Sequence, residues 1–135
     1  MKQIVYNAVI CVECREYLVS YHRHDYKTCS CPNEAMVDGG LDYLRYGAKD
    51  MDKVKSIALY ADDDFIEVRC YATRGSRGKD GKQPLTWIPL KDMEDDHLEA
   101  VLEYGGPDWH LDLIRKEIKY REYVKITSHN REKTD

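Results

Sequence analysis

The sequence lacks any apolar run close to the roughly 20 residues that a helix needs to cross a bilayer. Its first residues, MKQIVYNAVICV, are interrupted by Tyr6 and Asn7 and show no small-residue cleavage pattern, which argues against a signal peptide. We therefore predict a cytoplasmic protein that makes no contact with a membrane. In a reducing compartment, closely spaced cysteines favour metal coordination over disulfide bonds.

The sequence also has little phenylalanine and no excess of positive charge. The 135 residues include eleven tyrosines but one phenylalanine, and the formal net charge is −4. Tyrosine is typical of half-buried strands and of contact surfaces, because its ring is buried while its hydroxyl stays hydrated. A general nucleic-acid-binding protein is normally basic, so the net charge disfavours that class.

Four of the five cysteines form two close pairs. Cys11 and Cys14 give a CxxC pair, and Cys29 and Cys31 give a CxC pair, with fourteen residues between the pairs. Two short pairs at this separation predict a structural zinc site in a zinc-ribbon-like β-hairpin, with YLVSYH as one strand. Four reduced thiols without a metal are the alternative. Cys70 stands alone in FIEVRCYA, which we predict to be a strand, and we expect it in the core.

The run His22-Arg23-His24-Asp25 lies between the two cysteine pairs. On a strand, His22 and His24 share one face, and such a pair can hold a catalytic metal while Asp25 orients an imidazole. Alternatively, one histidine replaces a cysteine ligand, or the run lies beside the thiolates or at the surface. No further histidine or carboxylate cluster has a suitable spacing, so we predict no catalytic residue here.

These motifs resemble a known family. The segment CVECREYLVSYHRHDYKTCSC, continued by VDGGLDYLRYG, resembles a zinc-ribbon-like family of uncharacterised proteins from tailed bacteriophages and prophages. The family's cysteine pairs, S-x-H-R-H-D run and V-D-G-G-x-D-Y segment match Cys11, Cys14, Ser20, His22, Arg23, His24, Asp25, Cys29, Cys31, Val37, Asp38, Gly39, Gly40, Asp42 and Tyr43. The match covers residues 1–47, although Pro32 and Asn33 replace the glycine that usually follows the second pair. The resemblance implies a phage origin and an accessory role.

The remainder of the chain predicts a second unit that contains a small antiparallel sheet. IALYA and FIEVRCYAT flank three aspartates, which indicates a β-hairpin with an acidic turn. Two helices should follow, the first capped by Asp92, with Gly105-Gly106-Pro107 between them. The predicted fold class is α+β, with a zinc-ribbon-like module at 1–47, a small α+β unit ending in a helical hairpin at 48–125, and a polar disordered tail at 126–135.

A glycine-rich basic loop, RGSRGKDGKQP, precedes Trp87. It is not a Walker loop, because Gly75 lies six positions before Gly81 and Gln83 follows Lys82. Its cations could still bind phosphate oxygens while Trp87 stacks on a base. The candidate ligand-binding residues are therefore Arg74, Arg77, Lys79, Lys82 and Trp87. The alternative is a solvated hairpin tip. The segment from this loop to LKDM is also similar to bacteriophage early-region proteins.

These observations favour a non-enzymatic accessory protein of a bacteriophage, acting in the cytoplasm of the bacterial host. We predict that it counters host defence by sequestering a phosphorylated, nucleotide-like ligand or by binding a host protein. One alternative is a zinc-ribbon nucleic-acid-binding protein, and a second is a metal-dependent hydrolase that uses the His-Arg-His-Asp run. Exposed tyrosines could also form the contact of a homo-oligomer.

Overall fold

A computed structural model describes residues 2–133, with side chains described from residue 2 to residue 128. The fold is α+β, as the sequence predicts. The strands are β1 (Ile4–Cys11), β2 (Tyr17–Ser20), β3 (Lys27–Thr28), β4 (Met36–Asp38), β5 (Arg45–Gly47), β6 (Val54–Ser56), β7 (Leu59–Tyr60), β8 (Thr73–Ser76) and β9 (Thr86–Pro89). The helices are α1 (Phe65–Tyr71), α2 (Asp95–Tyr104) and α3 (Asp108–Lys133).

The first strand, β1, organises the N-terminal part. It pairs antiparallel with β2, β6 and β7, so it is flanked on both edges. Its first six residues are all buried, which explains why IVYNAV is almost continuously apolar rather than alternating. The strands β6 and β7 come from beyond residue 47 in the sequence. The predicted division into two units stays a prediction, but this sheet draws strands from both of them.

A second antiparallel sheet, β3-β4-β5, contains the V-D-G-G segment at its turn. Gly39 and Gly40 have φ angles of 109° and 53°. A Cβ added at Gly40 would lie 2.2 Å from the carbonyl carbon of His22, and one added at Gly39 would lie 1.9 Å from the carbonyl oxygen of Tyr43. This segment therefore forms a tight turn, and glycine is required by both backbone angle and close contact. The following strand is confined to Arg45–Gly47.

The predicted β-hairpin around the three aspartates is wrong, because FIEVRCY forms helix α1. Asp64 caps this helix, with its Oδ1 accepting the backbone N–H of Ile66 at 3.0 Å, and Asp63 accepts the N–H of Tyr60 at 2.7 Å. These aspartates thus end β7 and start a helix. Cys70 consequently lies half-buried on α1 and not in a strand.

The C-terminal helices α2 and α3 pack against each other, as the predicted helical hairpin requires. Asp92 does not cap α2, because it lies in a 3-10 turn over Leu90–Asp92 and α2 begins at Asp95. The predicted disordered tail at 126–135 is wrong as far as Lys133, where α3 ends. No glycine or proline interrupts α3, so helical hydrogen bonding continues along the polar sequence. Residues 134 and 135 lie outside the described residues.

Two apolar clusters form the core. The larger one joins Val5 of β1 to α1, α2 and α3. The smaller one joins Val9 and Cys11 of β1 to Leu18, Cys29, Ala35, Val37 and Val54. Cys11 and Cys29 therefore lie in the core of the N-terminal part, Cys31 packs against that core, and Cys14 is exposed. Within residues 2–133, no helix is both long and apolar enough to cross a membrane.

Candidate metal centre and ligand surface

The four cysteines of the two pairs converge on one point. One Sγ from each of Cys11, Cys14, Cys29 and Cys31 lies within 4.8 Å of all the others. The Sγ of Cys31 is 3.7 Å from that of Cys11 and 3.6 Å from that of Cys29. A tetrahedral ion with sulfur bonds of about 2.3 Å separates its ligands by about 3.8 Å. These sulfur–sulfur separations suit a shared metal ion, whereas a disulfide bond requires a sulfur–sulfur distance of about 2.05 Å.

The local backbone brings each pair to this point through a tight turn. Cys11 ends β1, and the N–H of Arg15 donates to its carbonyl oxygen at 2.7 Å. In the second pair, the N–H of Glu34 donates to the carbonyl oxygen of Cys31 at 3.0 Å. Arg15 and Glu34 both have positive φ angles, 64° and 49°. A non-glycine residue in this conformation costs on the order of 1 kcal/mol, so the turns must be held by their surroundings.

Two nitrogen donors point at the sulfur atoms. The N–H of Ala35 donates to Cys29 Sγ at 3.2 Å, and Asn33 Nδ2 lies 3.8 Å from Cys11 Sγ. Such donors favour a thiolate, which is the form that binds a metal. Asn33 also accepts the N–H of Asp50 at 2.8 Å through its Oδ1. Sequence reasoning treated Asn33 as a departure from a family pattern and gave it no role.

The thiols differ in acidity. A backbone N–H of Cys14 donates to the sulfur of Cys11 and lowers its pKa to about 6. Burial raises the pKa of Cys31 to about 12, and the neighbouring sulfurs add to that shift. Four thiolates this close repel one another strongly, so the set ionises fully only when a cation offsets the charge.

The histidine run does not join the cysteines or form a metal site of its own. β2 ends at Ser20, so His22 and His24 lie in a turn, where they share no strand face. His24 approaches the hydroxyl of Tyr43 at 3.2 Å, while Asp25 accepts the N–H of Tyr21 at 2.9 Å. Among the residues that the structure describes, the cysteines form the only group of three or more potential metal ligands.

Other residues of the S-x-H-R-H-D and V-D-G-G motifs connect the two N-terminal sheets. Ser20 Oγ donates to the carbonyl oxygen of Asp25 at 2.7 Å and accepts the N–H of Gly40 at 2.9 Å. The buried Asn7 Nδ2 donates to the carbonyl oxygens of Asp38 and Gly40 at 3.1 and 2.9 Å. These contacts show a role in holding the turns together.

The candidate ligand residues of the basic loop do not converge. Arg74 Nη1 donates to His110 Nε2 at 2.9 Å, and burial, with the charge of Arg74, lowers the pKa of His110 to about 4. Lys79 lies 3.7 Å from Glu94 and 3.9 Å from Asp96, beside a cavity of about 510 Å³. Among the side chains that the structure describes, no ion pair involves Arg77 or Lys82, and both lie in the exposed loop 77–85.

Trp87 connects the β8–β9 hairpin to the histidine turn. Its ring stacks on Tyr21, with centroids 5.0 Å apart and planes 7° apart, and the ring of His22 lies 6.2 Å away. Trp87 faces Gly75 in the hairpin register, and a Cβ added at Gly75 would lie 3.2 Å from the indole. Tyr21, which sequence reasoning did not select, therefore holds one side of the predicted stacking residue.

Comparison with known proteins gives a match in the N-terminal part of the chain. A family model described as "Domain of unknown function (DUF7695)" matches residues 3–48. The matched residues include all four converging cysteines, the S-x-H-R-H-D motif and the V-D-G-G-x-D-Y motif. No curated protein and no solved structure matches the chain.

Proposed function

We propose that the chain is a non-enzymatic binding protein whose N-terminal part folds around one structural zinc ion. The observation that carries this proposal is the approach of Cys11, Cys14, Cys29 and Cys31 at the sulfur separations of a tetrahedral site. Four thiolates favour zinc among the common divalent ions. A catalytic zinc site usually keeps one position for water, whereas four cysteines fill the coordination sphere.

The small size of the N-terminal core supports a folding role for the metal. Two of its seven buried residues, Cys11 and Cys29, are themselves ligands. The strands β3, β4 and β5 are only two or three residues long. Such short elements bury little apolar surface, so metal binding would supply much of the free energy that folds them.

The proposed ligand is phosphorylated and nucleotide-like, and the exposed loop of the β8–β9 hairpin is its binding site. Arg77 and Lys82 are the primary phosphate contacts, because Arg74 and Lys79 already have partners. Arg74 keeps its charge beside the neutral His110 and therefore adds to the local positive potential. Trp87 would contribute an edge or its remaining face, since Tyr21 covers part of it.

The bacteriophage resemblance of residues 1–47 supports a biological context for this binding. In this proposal the protein acts in the cytoplasm of a bacterial host and counters host defence by sequestering the ligand. A host protein is the other partner that such an accessory role would suit. Hydrolysis by the His22, His24 and Asp25 run has less support, because His22 lies 4.0 Å from Asp25 but His24 contacts Tyr43 instead, so the three do not form one site.

Native mass spectrometry of the protein purified from cells tests this proposal. We expect one zinc ion per chain and an added mass of a few hundred daltons that is lost on denaturation. Cys29→Ser should abolish zinc retention, whereas Cys70→Ser, a change on α1 outside the centre, should leave it intact. Absence of metal from the folded wild-type protein would refute the structural-zinc proposal.

The ligand part of the proposal has its own control. In a titration with ATP, Arg77→Ala and Lys82→Ala should each weaken binding, since each removes one phosphate contact. Lys55→Ala changes an exposed lysine on β6, a strand that pairs with β1 and not with the hairpin, and should bind as the wild type does. Equal affinity for all four proteins would rule out the loop as the phosphate site.

A further inference from the structure

Five aromatic side chains lie on the N-terminal sheet in two groups, one of three rings and one of two. We call Tyr71, Tyr6, Tyr17, Tyr21 and Trp87 the aromatic row. The rings of Tyr71 and Tyr6 are 5.2 Å apart, the hydroxyls of Tyr6 and Tyr17 are in contact, and the rings of Tyr21 and Trp87 are 5.0 Å apart. Tyr17 and Tyr21 lie four positions apart along β2 and its extension, so they are separated by about 13 Å on one face.

Buried residues hold the aromatic row in place, and two of its rings are half-exposed to solvent. Tyr6 is buried, and Leu18 and Ser20 of β2 point into the protein. Tyr17 and Tyr71, in contrast, are 46% and 47% exposed. Half-exposed rings held in place by buried neighbours lose little conformational entropy when a ligand stacks on them.

Positive charge borders this row. Lys27 Nζ lies 5.4 Å from the centre of the Tyr21 ring, although Asp25 pairs with it at 3.1 Å. Trp87 belongs to the hairpin whose loop carries Arg77 and Lys82. Glu16 beside Tyr17 is the nearest opposing charge along β2, and it accepts a hydrogen bond from Ser30.

We propose that the aromatic row is a base-stacking platform and that, despite the net charge of −4, the natural ligand is single-stranded nucleic acid bound mainly by stacking. This inference rests on the proposed function, because it specifies the phosphorylated ligand and extends its site beyond the loop. Aromatic rings next to cations are the means by which proteins bind single strands with little sequence preference. The rings lie on four elements, β1, β2 with its extension, α1 and β9, and together they offer more stacking surface than one base can cover. The bases of a duplex are already stacked and cannot reach it.

Fluorescence anisotropy with a labelled oligothymidylate of about twelve nucleotides tests the inference, and the matching oligouridylate distinguishes DNA from RNA. The wild type should bind one or both more tightly than ATP, and a duplex should compete poorly. Tyr17→Leu and Tyr71→Leu should each weaken binding at least about fivefold, which is the effect of losing one stacked base. Tyr17→Phe retains the ring and should bind as the wild type does.

Two further controls separate stacking from charge and from misfolding. Tyr104→Leu removes an 86% exposed tyrosine on α2 and should not change the affinity. Each variant should retain its metal content, which reports an intact N-terminal fold. If two phosphates are neutralised, affinity should fall only about sevenfold between 50 and 200 mM salt.

The outcomes separate this inference from the proposed function. If ATP binds through Arg77 and Lys82 but the single strands bind no more tightly than ATP, the inference is overturned and the proposed function stands. If the oligonucleotides bind and depend on Tyr17 and Tyr71 but not on Arg77 and Lys82, the platform is supported and the loop site is wrong. Unchanged affinity of folded Tyr17→Leu and Tyr71→Leu would overturn the platform.

Discussion

Arg69 and Glu117 form a bidentate ion pair that joins α1 to α3. Arg69 Nε donates to Oε1 at 2.8 Å, and Nη2 donates to Oε2 at 2.9 Å. Glu117 is completely buried, and Arg121 Nε donates to its Oε2 at 2.7 Å. Arg121 also contacts Asp95, the first residue of α2, at 2.7 Å. One buried carboxylate thus connects all three helices.

Replacing this carboxylate should destabilise the whole helical part. Glu117→Gln leaves Arg69 and Arg121 facing a neutral amide in a buried site, and breaking a buried pair in this way costs about 3 kcal/mol or more. Urea unfolding followed by circular dichroism would measure the change in the free energy of unfolding. Glu122→Gln, an exposed change on the same helix, should alter that free energy by less than about 0.5 kcal/mol. Equal stability of both variants would contradict the network.

The buried His110 predicts a specific loss of stability in mild acid. Its folded pKa of about 4 lies below the ordinary value of 6.5, which applies to the unfolded chain. Between these values the unfolded chain binds more protons, so this contribution is complete above about pH 6.5 and declines as the pH falls toward 4. The difference corresponds to about 3 kcal/mol.

Comparison of unfolding at pH 7 and pH 4.5 would measure this loss. His110→Gln retains an acceptor for Arg74 but cannot be protonated in this range, so its stability should depend less on pH than that of the wild type. His97→Gln on α2 serves as the control and should keep the wild-type pH dependence. If His110→Gln and the wild type lose the same free energy of unfolding in acid, the conclusion that His110 is held neutral by burial is wrong.

Gly40 and Gly81 both have a positive φ angle but differ in their surroundings, so they form a matched pair for substitution by alanine. Gly40→Ala places a methyl group 2.2 Å from the His22 carbonyl carbon at a φ of 53°. Gly81→Ala has a φ of 70° but meets no atom within 4 Å. The second change should therefore cost only the roughly 1–2 kcal/mol expected of the left-handed conformation.

Gly40→Ala should cost clearly more than Gly81→Ala, because the backbone at His22 must move as well. That movement would also disturb the hydrogen bond from Gly40 N–H to Ser20. Thermal unfolding and metal content of both variants would test this. Similar melting temperatures for the two variants would show that the turn is not clamped against His22.

Much of the fold and of the metal centre could be predicted from short spacings in the sequence. Two cysteine pairs have few explanations in a reducing compartment, and Asp38-Gly39-Gly40 identifies a turn from local backbone chemistry alone. Helix α1 is predicted as a strand, because apolar and polar residues that alternate over only seven positions fit a strand as well as a short helix. The decisive contact, the cap formed by Asp64, was read as part of an acidic turn.

Partners far apart in the sequence could not be predicted. Nothing local indicates that Arg74 meets His110, or that Trp87 stacks on Tyr21. Both contacts depend on how the β8–β9 hairpin packs against other elements. The composition did signal an unusual surface through its excess of tyrosine, but only the fold shows which tyrosines form one row.

Asn33 provides the most direct test of how the metal centre is supported. Its Nδ2 lies near Cys11 Sγ and 3.4 Å from the carbonyl oxygen of Lys53, while its Oδ1 holds the N–H of Asp50. Asn33→Ala removes these contacts but leaves all four cysteines. We expect the zinc affinity to fall about 10- to 100-fold, as for other groups that orient metal ligands. Competition with a chromogenic chelator would measure it.

Ser30→Ala is the matched control for Asn33→Ala, because Ser30 lies between Cys29 and Cys31 but is exposed and contacts Glu16. Its zinc affinity should remain that of the wild type. An Asn33→Ala protein with unchanged zinc affinity would show that the cysteines alone hold the centre. A loss confined to Asn33→Ala would instead show that Asn33 couples the zinc site to Asp50 and Lys53, so that zinc removal should loosen the segment leading into β6.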